Sequence, residues 1–132
     1  MIGLDTNFLV RYIVHDDVQQ LSKVLQTIAN RLTDQSPGFV SLVTVMETVW
    51  VLSSFYKFTD AEIAQAMERL LQTEVLFVQN EREVYAAMEA LRSGQGSFND
   101  ALIGALGSWA RCTTTLTFDK RASRLQGFEL IA

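Results

Sequence analysis

Four acidic residues of this 132-residue chain stand where an acid needs an explanation: Asp5, Glu47, Asp100 and Asp119. Asp5 closes the apolar run MIGL, and Asp119 follows the β-rich run TTTLTF. Asp100 opens one largely apolar helical stretch, and Glu47 interrupts another. A carboxylate in apolar company is costly unless something offsets its charge. Four of them in a small space would also repel one another, and a divalent cation relieves that repulsion. Carboxylates are hard oxygen ligands that suit Mg2+ or Mn2+, so the chemistry such a set supports is metal-assisted hydrolysis.

Each acid also has an ordinary structural job to weigh. Asp119 reads equally well as the N-cap of a helix starting at Lys120. Asp100 completes a capping-box pattern with Ser97. Glu47 lies past the first turn of its helix, where the helix dipole helps little, and its neighbours one turn away are Val43, Thr44, Trp50 and Val51. Asp5, at the end of a buried strand, has no routine task beyond capping the helix that follows.

Other chemistries are poorly served. His15 is the one histidine and sits in the polar stretch VHDD, as a surface residue would. With Cys112 the one cysteine, neither a structural zinc site nor an internal disulfide can form. No nucleophile elbow and no phosphate-cradling glycine loop is present. Gly104 and Gly107 fall mid-helix, where close packing is their role. Trp50 and Trp109 fall on helix faces and read as core, not as base-stacking platforms. Lys120, Arg121 and Arg124 fit either a solvated face or contacts to phosphate beside Asp119.

The elements that must position these residues follow from periodicity. Residues 1–4 predict a strand ending at Asp5, with a helix after it through Phe8, Leu9, Tyr12 and Ile13. Residues 17–32 predict a helix with Leu21, Val24, Leu25, Ile28 and Leu32 on one face. Phe39-Val40 opens a strand, and Ser41 caps a helix to about Tyr56 whose apolar face is Leu42, Val45, Met46, Val49, Leu52 and Phe55. Thr59 with Glu62, and Asn80 with Glu83, predict capped starts for two more helices, with a strand at 75–78 between them. A helix over 98–111, a strand over 114–117, a short helix over 119–125 and a strand over 128–131 complete the chain. Short buried strands alternating with helices imply an α/β protein: a three-layer α/β/α sandwich on a central, mainly parallel sheet of four to five strands. Ligands of such sheets bind beyond the carboxyl ends of the strands, where strand order reverses. Asp5 and Asp119 both follow strands, and would face each other if the first and fourth strands are neighbours.

Length and composition set the frame. One domain over residues 1–132 is expected, large enough to bury roughly two-thirds of its unfolded surface without disulfides or zinc. The lone cysteine, the lack of a signal sequence and the lack of an apolar run near ~20 residues predict a cytoplasmic protein with no membrane span. A net charge of −4 and a pI near 4.9 argue against a nucleic-acid partner. The segment from Ser97 onward weakens that objection, since Arg111, Lys120, Arg121 and Arg124 there exceed its acids Asp100, Asp119 and Glu129.

LDTN at 4–7, the Ser41 helix carrying Glu47, FNDALIGA at 98–105 and LTFDKRA at 116–122 resemble, in this order and across the whole chain, the motifs of PIN-domain ribonucleases. The resemblance is closest to the VapC-type toxins of bacterial and archaeal toxin–antitoxin pairs. It implies that Asp5, Glu47, Asp100 and Asp119 form an acidic quartet holding Mg2+ or Mn2+, with Thr6, Asn7 and Thr117 as accessory polar residues. It further implies an endoribonuclease that cleaves structured RNA, forms a homodimer, and is restrained by a cognate antitoxin on a separate chain. With histidine scarce, such a site would depend on metal to activate water against a phosphodiester, and Lys120, Arg121 and Arg124 would contact substrate phosphate.

Two other readings compete. A phospho-acceptor signalling domain needs an acid after the third strand, where Gln79-Asn80 stands, and a Lys after the fifth. A catalytically silent PIN scaffold that only binds RNA or protein would have no reason to keep all four acids.

Overall fold

The computed structural model describes residues 1–132. The apolar start forms only a two-residue strand, β1 (Ile2–Gly3), before Asp5 turns the chain into helix α1 (Thr6–Ile13). There follow α2 (Val18–Arg31), β2 (Gly38–Val40), α3 (Leu42–Ser54), α4 (Asp60–Gln72), β3 (Leu76–Val78), α5 (Glu81–Arg92), α6 (Phe98–Trp109), β4 (Thr115–Thr117), a 3-10 turn (Ala122–Arg124) and β5 (Phe128–Leu130). The class is mixed α/β with parallel strands, as the alternation predicts. The chain clusters into two compact units, Met1–Thr59 with Arg69–Gln79 and Asp60–Glu68 with Asn80–Ala132, so that α4 contributes to both. No helix is long and apolar enough to cross a membrane.

In the first unit, β1, β2 and β3 form a parallel sheet in that order, with Gly38 opposite Ile2 on one side and Leu76 on the other. Gly38 has to be small: a Cβ there would lie 2.6 Å from Leu4 Cδ1 and 3.0 Å from methyls of both Leu32 and Leu76. Leu9, Val10, Val24, Leu32, Val40, Val45, Val49 and Leu52 are buried around the sheet. Asp17 and Ser41 cap α2 and α3 through their side chains, accepting from the backbone N–H of Gln20 and Thr44. Helix α1 packs on α3, and a polar triangle joins them at one end. Arg11 donates to Asp16 at 2.6 Å and to the Tyr56 hydroxyl at 2.7 Å, and that hydroxyl donates to Asp16 at 3.0 Å. Burial opposes the Arg11 charge, yet the Tyr56 bond together with Asp16 and Asp17 outweighs it and raises the guanidinium's pKa.

In the second unit, α5 packs on α6, and β4 pairs parallel with β5, Thr115 opposite Phe128 and Thr117 opposite Leu130. Met67, Val84, Met88, Leu91, Phe98, Leu102, Ala122 and Leu125 are buried. Gly104 and Gly107 pack closely, as expected: a Cβ on Gly104 would meet Phe128 Cε2 at 2.5 Å, and one on Gly107 would meet Thr115 Oγ1 at 2.8 Å. Helix α6 stops two residues short of the predicted end, where Arg111 adopts a left-handed φ of 66°.

Several expectations need correction in detail. All five predicted strands exist, but their ladders group them as three and two, and β1 pairs only with β2. Strands of two or three residues carry too few ladder bonds to reveal their partners from pattern alone. Asn80 does not cap α5 through its side chain. It takes a left-handed φ of 51°, which Asn tolerates, and its Nδ2 donates to Glu83 Oε1 at 3.0 Å. Residues 119–125 yield a 3-10 turn over Ala122–Arg124 instead of a short α-helix. Trp50 and Trp109 are not core: each is 63 % exposed. On the amphipathic faces Leu25 and Phe55 are exposed as well, Phe55 lying edge-on to Tyr56.

Candidate active site

Asp5 stands between β1 and α1 and serves as the N-cap, its Oδ1 accepting from the backbone N–H of Phe8 at 2.9 Å. Its second oxygen stays free. Thr6 and Asn7 form the first turn of α1, Asn7 exposed and Thr6 half-buried. Glu47, in the same unit, lies mid-way along α3 and is exposed. Its flanking residues one turn away, Val43 and Trp50, are apolar as predicted, but they too are exposed, so Glu47 is not desolvated. The reason is geometric: Val43, Glu47 and Trp50 share the helix face opposite Val45, Val49 and Leu52, which fill the core. Thr48, next in sequence, is fully buried with no partner for its hydroxyl.

The second unit holds the other two acids. Asp100 occupies the first turn of α6, where the helix dipole favours an anion, and is half-buried. Its N–H donates to Ser97 Oγ at 3.2 Å, but its carboxylate does not reach back, so the capping box is one-sided and both Asp100 oxygens remain available. Asp119, exposed after β4, is positioned by three bonds. Its N–H donates to Thr117 Oγ1 at 3.0 Å, and its Oδ1 accepts from the N–H groups of Arg121 at 2.8 Å and Ala122 at 3.3 Å. Thr117 thus positions Asp119 through its Oγ1. Lys120, Arg121 and Arg124 are exposed and pair with no carboxylate.

The chain's ion pairs join Arg11 to Asp16 and Arg92 to Glu68 and Glu89, leaving all four candidate acids without a basic partner. Two oxygens are engaged: Oδ1 of Asp5 caps α1, and Oδ1 of Asp119 closes the turn that leads into the 3-10 segment. An uncompensated carboxylate with a free oxygen is the donor a hard divalent cation takes, so the residue chemistry fits Mg2+ or Mn2+. The acids divide evenly, Asp5 and Glu47 in the first unit, Asp100 and Asp119 in the second. Within neither unit do three or more His, Cys, Asp or Glu side chains converge as a metal cluster.

The PIN domain family profile matches residues 2–127. The chain belongs to the PIN domain family. A comparison with curated proteins yields no match. PIN domains are generally nucleases and typically use divalent metal ions, so membership supports a nuclease-type fold for this chain. The matched span contains every acid of the proposed quartet and the basic residues at 120–124.

One residue escaped notice in the sequence. Asn99, beside Asp100 in FNDALIGA, has its side-chain carbonyl oxygen buried without a partner. Buried polar atoms are nearly always satisfied, so an orphan next to a candidate ligand marks a strained or functional position. The signal was available: a polar side chain two residues after the cap of an otherwise apolar helix.

Proposed function

We propose that this PIN domain, a single domain over residues 1–132, is a metal-dependent endoribonuclease that acts as the toxin of a type II toxin–antitoxin pair. The observation that carries the reading is the state of its four acids: Asp5, Glu47, Asp100 and Asp119 keep free oxygens and have no basic partner, in a chain whose family generally cuts nucleic acid. The four motifs that resemble VapC-type toxins support the toxin role, and with it a cognate antitoxin, a homodimer and a cytoplasmic setting. The ion itself, when bound, polarises the phosphodiester and favours ionisation of water.

The chain's own residues divide the remaining work. Asp5, Asp100 and Asp119 would hold the cation, with Glu47 as a further ligand or as the group that orients the attacking water. The cap made by Asp5 and the turn closed by Asp119 hold those carboxylates still, which is what a metal site requires. Thr117 fixes the Asp119 backbone, while Thr6 and Asn7 offer polar groups beside Asp5. Lys120, Arg121 and Arg124 lie next to Asp119, are free of internal ion pairs, and would hold substrate phosphates.

The test is incubation of purified protein with total RNA, with and without Mn2+, beside Asp100→Asn. Cleavage that requires the ion and is lost in the variant is expected. Equal cleavage by the variant sinks the site, and no stabilisation by millimolar Mn2+ in a thermal shift favours a silent scaffold. Co-purification of a small partner protein whose removal releases activity would bear on the toxin assignment.

A further inference from the structure

The unit that holds Asp100 and Asp119 also carries a cavity of about 570 Å3, bounded by α5, α6 and the segment entering β5. That is the size of a small-ligand site. Its wall includes Trp109, 63 % exposed, together with Glu83, Gln95 and Gln126. Glu83 gives one carboxylate oxygen to Asn80 Nδ2 and keeps the other. The side-chain amides of Gln95 and Gln126 make no hydrogen bond within the protein.

The cavity is joined to the candidate acids by the chain itself. From Asp119 the sequence runs through Lys120, Arg121 and Arg124 directly into Leu125–Phe128, which line the cavity. On α6, Asp100 is followed by the lining residue Ala101, and Trp109 lies nine residues on, roughly 13 Å away at 1.5 Å per residue. An aromatic ring with free amides and a carboxylate, close in sequence to unpaired cations, is the equipment for taking an unstacked base while neighbouring phosphates are held.

We infer that this cavity is a nucleobase subsite. It takes one unpaired base of a single-stranded RNA segment, stacks it on Trp109, and reads its exocyclic amino group with the free oxygen of Glu83, so that bases with such a group, adenine and cytosine among them, are favoured over uracil, which has none. A carboxylate accepting from such an amino group is an established mode of base discrimination. The inference rests on the nuclease reading for its substrate class, but the site is measurable without catalysis.

The experiment uses the full chain in EDTA, so that no cleavage occurs. Of the two tryptophans, Trp50→Phe leaves Trp109 as the sole one, excited selectively at the red edge where tyrosine does not absorb. Its fluorescence is titrated with AMP, CMP, UMP and ribose 5-phosphate, and the affinity of an adenine- and cytosine-rich RNA oligonucleotide is measured for wild type and Trp109→Ala. AMP and CMP are expected to quench saturably, UMP about tenfold more weakly, and ribose 5-phosphate not at all; Glu83→Gln should erase most of that difference. Trp109→Ala should weaken the oligonucleotide about tenfold, the cost of one lost stacking contact. The inference is overturned if ribose 5-phosphate quenches as well as the nucleotides, if none of them quenches saturably, or if Trp109→Ala binds the oligonucleotide unchanged. Saturable quenching in a protein that cuts no RNA with Mn2+ would leave the subsite standing and remove the nuclease. Cleavage without quenching would do the reverse.

Discussion

Replacing Asp119 separates two jobs that its two oxygens perform. Oδ1 accepts from the N–H groups of Arg121 and Ala122, closing the turn after β4, and the other oxygen is free for a cation. Asp119→Asn keeps a carbonyl oxygen for the turn, and since Asn and Asp both make such side-chain-to-backbone turn bonds, stability should change by no more than about a few tenths of a kcal/mol. Asp119→Ala removes the turn bonds as well and should cost about 1 kcal/mol. Both variants lose the charged ligand. Losing even an outer-shell partner of a metal costs about 10- to 100-fold, so losing a direct ligand should lower RNA cleavage by about 100-fold or more. Binding supplies a second readout. Wild type at ten times the Mn2+ dissociation constant gains about 1.4 kcal/mol, a rise in Tm of about 5 °C for a chain this size, whereas both variants should show little response. The assays are denaturant unfolding without metal, thermal unfolding across a Mn2+ series, and cleavage of total RNA. An Asn variant that still cuts RNA and still responds to Mn2+ would refute the ligand role. An Asn variant as unstable as the Ala variant would refute the division of labour.

Gly104→Ala should destabilise the chain by about 1–2 kcal/mol although alanine is the better helix former, because the new Cβ would sit 2.5 Å from the Phe128 ring and overpacking outweighs a propensity gain of about 1 kcal/mol; urea unfolding with an unchanged m-value checks it. Tyr56→Phe removes the hydroxyl that joins Arg11 to Asp16 and should cost about 1 kcal/mol, seen as a lower urea midpoint. His15→Ala should leave both Mn2+-dependent cleavage and Tm unchanged, because His15 is exposed and the proposed chemistry assigns it no proton; a large fall in rate would return histidine-based catalysis to consideration.

The elements of this fold were legible because caps and periods are local signals. Asp5, Ser41 and Ser97 all accept the backbone bonds that their positions before apolar helices predict. Strand partnership was not legible, since three residues of alternating pattern identify a strand but not its neighbour. Exposure failed for a related reason. Helix α3 is apolar on nearly every face, so periodicity picks out Val45, Val49 and Leu52 as the side that meets the core but does not show that Val43 and Trp50, beside Glu47, face solvent. Trp109 was misplaced because it ends its helix, where the last turn runs into an exposed loop. Asn80 shows the limit of a motif: its spacing to Glu83 was right, but its backbone turned left-handed and spent the side chain elsewhere.

Capping and ligation were weighed in the sequence as rival explanations for the same aspartates, and the hydrogen bonds show why they need not be. A short aspartate side chain reaches its own backbone with one oxygen and presents the other at an angle fixed by the turn. Asp5 and Asp119 both do this, so each would meet a cation with its rotamer already set. Glu47 is longer, exposed and tied to nothing, and ordering a glutamate side chain costs roughly 1.5–2 kcal/mol. The anchored aspartates are therefore the better candidates for holding the ion, and Glu47 for a task that tolerates movement, such as orienting water during turnover. Asp100 stands between them, without a bond to its carboxylate but favoured as an anion by the N-terminus of α6.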